Sequence, residues 1–377
     1  MQMSNATTKD TQQAGQKRLL SLDVMRGLIM ILLAAESCLL YVALSAATPP
    51  LISQNVVKQF FHHPWHGLYF WDLVQPAFMT MAGAALYISC HYKTQKGITW
   101  SQNLKHIALR CVKLFVFGVA LHCVYAGRPV WELWNVLTQL SITTMIAYLI
   151  IRRSDLFQVL FSILLLLLTE ILYRTVLMPG FDQPFVEYKN FGSWLDTIIS
   201  SKVNEDGWVA VNFIPTAAHT IWGVLAGKLL IQASDSQAKI KSLVLAGILA
   251  LAIGYGLDLA NVTPIIKRTA TSSFVLVSGG WVLLIMAFLY WLVDIRKWDR
   301  YAWVLVVVGV NSIFIYLFFE TVGLQWLNRT VAIFVYGFTG FLAVPEKVQA
   351  VLSALLTLFL EWRLCYWLYK RKIFFKI

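Results

Sequence analysis

Ten stretches of this chain are each apolar over about 20 residues, the length a helix needs to cross the hydrocarbon core of a bilayer. They fall roughly at 24–47, 68–90, 104–126, 131–151, 156–177, 211–232, 242–260, 272–294, 301–320 and 348–369. The fold class that follows is all-α: a polytopic membrane protein, a bundle of about ten transmembrane helices. An eleventh apolar stretch near 330–343 is shorter and carries Gly337 and Gly340. It is expected to be re-entrant or interfacial rather than a full span.

Composition agrees. Only 13% of the 377 residues are charged, about half of the roughly 25% that covers a soluble domain. A soluble enzyme, a disordered protein and a nucleic-acid partner are excluded on that ground. The net charge of +12 is carried by alternate connections. Arg26 precedes span one; Lys93, Lys96 and Lys105 follow span two; Arg152 and Arg153 follow span four. Lys239 and Lys241, then Arg296, Lys297 and Arg300, and finally Lys370, Arg371 and Lys372 continue the alternation. By the positive-inside rule these connections and both termini face the cytoplasm, and ten spans satisfy the even count this requires. The expected organisation is a disordered cytoplasmic tail over 1–17, with no cleavable signal peptide, and one transmembrane domain over 18–377. The opposite face holds the longer loops, 48–67, 178–210 and 321–347 among them, where functional segments are expected. No internal repeat of transporter type is visible. The five cysteines lie apart in apolar runs with no CxxC pair, which is neither a metal site nor a disulfide framework.

Ionisable residues inside such spans are costly and mark candidate sites. His62, His63 and His66 lie at the extracytoplasmic mouth of span two, and Asp72 follows about one and a half turns inside a helix starting near Gly67. The histidines could bind a metal, act as base or nucleophile, or anchor the helix at the interface beside Trp65, Tyr69 and Trp71. Glu36 is expected in mid-span of helix one, as a buried structural acid or a functional carboxylate in a cavity. Arg110 and Lys113 lie one turn apart, placed either to hold a phosphate or to snorkel to the cytoplasmic surface. His122, His219 and Asp258 read as helix–helix hydrogen bonds. Asn311 and Ser312 share helix nine with Glu320 but not its face. Lys267 and Arg268 lie on the extracytoplasmic side against the charge trend, where basic residues suit an anionic ligand.

Several of these segments form a pattern. Residues 18–27, His62-x-x-Trp65-x-Gly67-Leu68 with Asp72-Leu73-Val74-x-Pro76, and Gly223-Val224-x-Ala226-Gly227-Lys228 are three of them. Pro264-x-x-Lys267 with Ser272-Ser273, Gly309-x-Asn311-Ser312 with Tyr316 and Glu320, and the C-terminal 368–377 are the others. In order and in register, they resemble the transmembrane acyltransferases of the heparan-α-glucosaminide N-acetyltransferase family. The resemblance implies transfer of acetyl from cytosolic acetyl-CoA, a co-substrate, to the amine of a terminal glucosamine or other amino-sugar glycan across the membrane, without a metal. It implies that the functional histidine is His62, with Glu36 standing where the family has an Asn; Asp72, where close in space, is expected to orient the His62 ring. Arg110, Lys113, Asn311, Ser312 and Lys267 form the expected acetyl-CoA-binding set, in a bundle whose cavity opens to both faces. The chain departs from the family pattern at Glu36-Ser37, in the longer loop before His62, and at Thr138-Gln139, where Gln-Arg is usual. A bacterial inner membrane suits the short N-terminus, and a homodimer is an admissible assembly. The competing reading is a proton-coupled transporter or flippase of a polar solute, using Glu36 and Asp72 as its carboxylates.

Overall fold

The computed structural model describes residues 19–232 and 235–375; the expected tail over 1–17 lies outside them. The first apolar segment is not one helix. It is α1 (Leu20–Ser37) and α2 (Leu40–Ala47), bent by 64° at the break. Leu39 takes a left-handed backbone there, φ 63°, and the exposed groups of the break are bonded across the bundle. Ser37 Oγ donates to the Phe319 carbonyl at 2.8 Å, and Asn328 Nδ2 donates to the Ser37 carbonyl at 2.7 Å. Broken helices survive at membrane depth only with such partners. Glu36 occupies the last turn of α1, at the break inside this bent span.

The short α3 (Pro50–Asn55) leads to the histidine loop. A 3-10 turn, Phe70–Leu73, then opens α4 (Val74–Gln95), so the helix begins after Gly67 and Asp72 lies in its first turn rather than one and a half turns within. Next come α5 (Trp100–Ala126), α6 (Val136–Ile150), α7 (Asp155–Thr175), the amphipathic α8 (Phe191–Ile199), α9 (Phe213–Gln232), α10 (Ser236–Leu259) and α11 (Ser272–Leu289). The chain ends with α12 (Ala302–Val310), α13 (Ser312–Phe318), a π-helical stretch Phe319–Leu327, α14 (Asn328–Phe341) and α15 (Glu346–Lys370).

Among the described residues seven helices are long and apolar enough to span, or up to nine if each bent pair is one span. This is below the ten expected. The shortfall is α6, whose 15 residues cover only about 22 Å. Asn135 starts it late by capping the Leu137 amide at 2.8 Å, so the polar residues ahead of it stay outside the helix. The second bent pair, Ala302–Val310 with Ser312–Phe341, turns by 75° at Asn311 and absorbs the eleventh apolar stretch into a helix.

α4 is the central element and packs on α9, α6, α11 and α1. Its contact with α9 is very close. A Cβ on Gly223 would lie 1.9 Å from the Thr80 carbonyl oxygen, and one on Gly83 2.0 Å from that of Thr220. Small residues are what let membrane helices approach to this degree. The Gly223/Gly227 segment is therefore a packing seam, and it pins α4 where Asp72 heads one end and Lys93 the other. The 20 residues between them rise about 30 Å, the thickness of a hydrocarbon core.

Candidate active site

The loop carrying His62 is fastened to the loop carrying Lys267. Gly67 N donates to the Ile265 carbonyl at 2.9 Å, and His66 and Ile266 form an isolated bridge. Asp258 Oδ1 holds both loops, through His66 Nε2 at 2.7 Å and the Ile265 amide at 3.0 Å. Asp258 is thus a loop clip rather than a helix–helix bond. Gly67 has φ 144°, and a Cβ there would lie 2.5 Å from the His63 ring, so only glycine fits this crossing.

The result is a triangle. His62 Nδ1 lies 3.3 Å from Asp72 Oδ1 and 3.0 Å from Lys267 Nζ, and Lys267 Nζ lies 3.4 Å from the same Asp72 oxygen. The other carboxylate oxygen accepts from the amides of Tyr69 at 2.8 Å and His63 at 3.3 Å. Asp72 is fully buried and Lys267 nearly so, while about a third of the His62 side chain, 36%, faces open space. With Nδ1 engaged, Nε2 is the nitrogen left for a reactant. Burial, then the neighbouring Lys267 charge, lower the His62 pKa to about 4 against the opposing pull of Asp72. The imidazole is therefore neutral at physiological pH, the form needed of a base or nucleophile. Burial likewise works against the Lys267 charge, which Asp72 supports.

Nε2 of His62 faces a cavity of about 510 Å³, lined also by Glu36, Trp71, Gln75, His122, Tyr125, Trp134, Lys267, Tyr316 and Glu320. Asn204, Asp206 and Trp208 of the long loop before α9 also line it. Trp208 stands edge-on to the His62 ring at 5.4 Å, and Lys267 Nζ lies 5.5 Å over it. The three loop histidines have separate partners: His62 meets Asp72, His63 packs on Tyr69, and His66 bonds Asp258. Among the described residues no group of three or more His, Cys, Asp or Glu could hold a metal ion.

Arg110, Lys113 and Ser312 line a second cavity of about 800 Å³ with Arg26, Lys93 and His106, and no carboxylate joins them. Arg110 Nε is buried there without a partner, so the residues present suit an anionic group such as phosphate. Phe78 and Ile313 line both cavities and are the wall between them. Two members of the expected acetyl-CoA set are elsewhere. Lys267 belongs to the His62 triangle. Asn311 spends both ends of its amide on the C-terminal segment, donating to the Ile373 carbonyl and accepting from Phe375 N, each at 3.0 Å.

Sequence reasoning missed one grouping. His122 is not a bond between helices: its Nδ1 lies 2.9 Å from Glu132 Oε2, and Glu132 Oε1 lies 2.6 Å from Lys202 Nζ. The available signal was a histidine one turn from the end of α5 with a carboxylate in the short loop that follows. His219, by contrast, does bond between helices, through Nε2 to the Val275 carbonyl and Ser278 Oγ, both at 3.1 Å.

No curated protein matches the chain in sequence. Residues 18–257 match the family described as heparan-alpha-glucosaminide N-acetyltransferase, catalytic. The match covers Glu36, His62, Asp72, Arg110 and Lys113, and it decides between enzyme and transporter, since the family is one of N-acetyltransferases. A membrane bundle with a neutral, carboxylate-held histidine at one end of α4 and a basic cavity toward the other has the parts for acyl transfer, and the chain belongs to the heparan-alpha-glucosaminide N-acetyltransferase family.

Proposed function

We propose that this protein moves acetyl from cytosolic acetyl-CoA to the amine of a glucosamine-type sugar on the extracytoplasmic side, with both termini in the cytoplasm. The observation that carries the reading is the shared wall. The basic cavity and the His62 cavity meet at Phe78 and Ile313, so an extended donor bound by its phosphates on one side has the shortest approach to a reactant on the other.

Arg110, Lys113, Arg26 and Lys93 hold the donor's phosphates by charge-assisted hydrogen bonds. The donor supplies an activated acetyl group as a thioester. In the tautomer that donates Nδ1–H to Asp72, His62 keeps its Nε2 lone pair for a reactant, while Lys267 neutralises Asp72 at the same Oδ1. His62 then acts as general base toward the acceptor amine or takes the acetyl group transiently. Glu36, in the same cavity where the family has an Asn, holds the amine while it is still an ammonium. Trp134 and Trp208 offer apolar faces to a sugar ring.

The test is CoA release from acetyl-CoA by purified protein, with and without glucosamine-terminated saccharides, for the wild type and His62→Ala. Sugar-dependent release that disappears in the variant is the expected result. A His62→Ala protein with near wild-type transfer overturns the assignment of His62. Wild-type protein that binds acetyl-CoA but acetylates no amino sugar overturns the acceptor class.

A further inference from the structure

Acetylating an ammonium removes two protons from one nitrogen, and His62 is badly placed to hold either. Lys267 Nζ stands 3.0 Å from its Nδ1, and a cation there opposes a second positive charge on the ring. The same cavity contains another histidine held by a carboxylate. His122 Nδ1 is 2.9 Å from Glu132 Oε2, while the Lys202 ammonium sits on the far oxygen of that carboxylate, at 2.6 Å from Oε1. The carboxylate thus lies between His122 and the cation, where at His62 the cation touches the ring. The His122 ring packs edge-on against Trp134 at 6.1 Å and Tyr125 at 5.7 Å, which fixes its plane. With Nδ1 bonded to Glu132, Nε2 is the atom that faces the cavity.

Ionisable groups reach the ring's surroundings from several elements. Glu132 comes from the following loop, and Glu320 reaches the neighbouring Tyr125 hydroxyl at 2.7 Å from the π-helical stretch. Glu36 lines the cavity from α1, Lys202 stands on the far oxygen of Glu132, and Lys267 lies against both His62 and Asp72.

We propose that His122 is a second catalytic residue of this enzyme, the base that takes the first proton from the acceptor ammonium, leaving His62 to act on the acetyl group. The proposal rests on the acyl-transfer reading above. The ammonium gives one proton to His122 Nε2 and becomes a free amine. Its lone pair forms the C–N bond at the acetyl carbonyl, and the C–S bond breaks with its electron pair going to sulfur. The second nitrogen proton ends on the thiolate, giving the thiol. His122 returns its proton to water, so the sum is ammonium plus thioester to amide, thiol and one released proton.

The test compares the wild type with His122→Gln, using acetyl-CoA and a glucosamine-terminated disaccharide between pH 6 and pH 9, with acetyl-CoA binding measured for both. His122→Gln is expected to bind acetyl-CoA normally and to transfer about 100-fold more slowly near pH 6.5. Its deficit should shrink about tenfold per pH unit as the acceptor loses its proton in solution, and an aryl amine acceptor, neutral at pH 7, should be used equally by both proteins. A deficit that is the same at every pH, or none at all in an active wild type, overturns the proposal and leaves the function standing. A wild type that transfers to no amine overturns the function and the proposal together. Should His122→Gln fail to bind acetyl-CoA, Glu132→Gln carries the same comparison: it keeps an oxygen acceptor for His122 and removes the charge, and the same pH trend is expected.

Discussion

Lys267→Gln separates the two influences that Lys267 exerts on the site. The His62 pKa of about 4 arises first from burial, second from the Lys267 charge, against Asp72. Glutamine keeps a donor for Asp72 and removes the charge. Burial and the weaker Arg268 charge then act against Asp72, and the pKa rises by about one to two units, the usual effect of a single near charge. The sign follows from the depressed value: His62 is neutral, and competent, above its pKa, so raising that pKa removes activity at acidic pH. At pH 5 the wild-type ring is about 90% neutral, while a ring with pKa near 6 is about 10% neutral. The variant should therefore run about two- to tenfold below the wild type at pH 5, across that range of rise, and approach a constant ratio by pH 8. Taking the ratio of kcat/KM at each pH cancels the ionisation of the acceptor, which is common to both proteins. The plateau carries separate information, because Lys267 also stacks over Trp208 at 5.5 Å. A plateau below one reads that positioning contribution. A ratio that does not change between pH 5 and pH 8 would refute the claim that the Lys267 charge keeps His62 neutral.

Two further variants address the donor cavity and the helix seam. Arg110→Met removes the guanidinium whose Nε is buried without a partner; KM for acetyl-CoA should rise about 10- to 100-fold, the worth of a charged hydrogen bond, with kcat nearly unchanged, measured by initial rates. Gly223→Ala drives a Cβ to 1.9 Å from the Thr80 carbonyl oxygen; α4 and α9 must part, at a cost of about 1–3 kcal/mol, seen as a lower unfolding temperature in detergent.

The positions of the helices were legible because their physics is local: a run of apolar residues forms a helix in lipid whatever its neighbours do. The breaks were not. Nothing in the order Glu36-Ser37-Cys38-Leu39 marks a 64° bend, because the bonds that stabilise it come from Phe319 and Asn328, almost 300 positions away. The His62–Asp72 pair was legible for the opposite reason: the two are ten residues apart on one loop and the turn that follows it. Lys267 was noticed only as a cation on the wrong side of the membrane. Its place against His62 depends on the Gly67–Ile265 and His66–Asp258 clips between distant loops. His122 was misread because its partner is in a loop, where a pattern of helix faces has nothing to say.

These differences bear on how an acyl group could cross a bilayer. A channel wide enough for acetyl-CoA would leak; two cavities that meet at a thin apolar wall need admit only the narrow end of an extended donor. In this chain the wall is Phe78 on α4 and Ile313 on α13. Each is on a helix anchored away from the wall, α4 by the glycine seam with α9 and α13 by the bend at Asn311. Asn311 itself is tied to the C-terminal segment, whose Phe375 stacks on Phe314 at 4.5 Å between ring centroids and lines the basic cavity. The residue expected to touch the donor instead holds the segment that lines the basic cavity, and the same bend precedes Ile313 in the wall. The basic cavity and the wall are thus positioned by one residue, which is a physical reason for an asparagine at that bend.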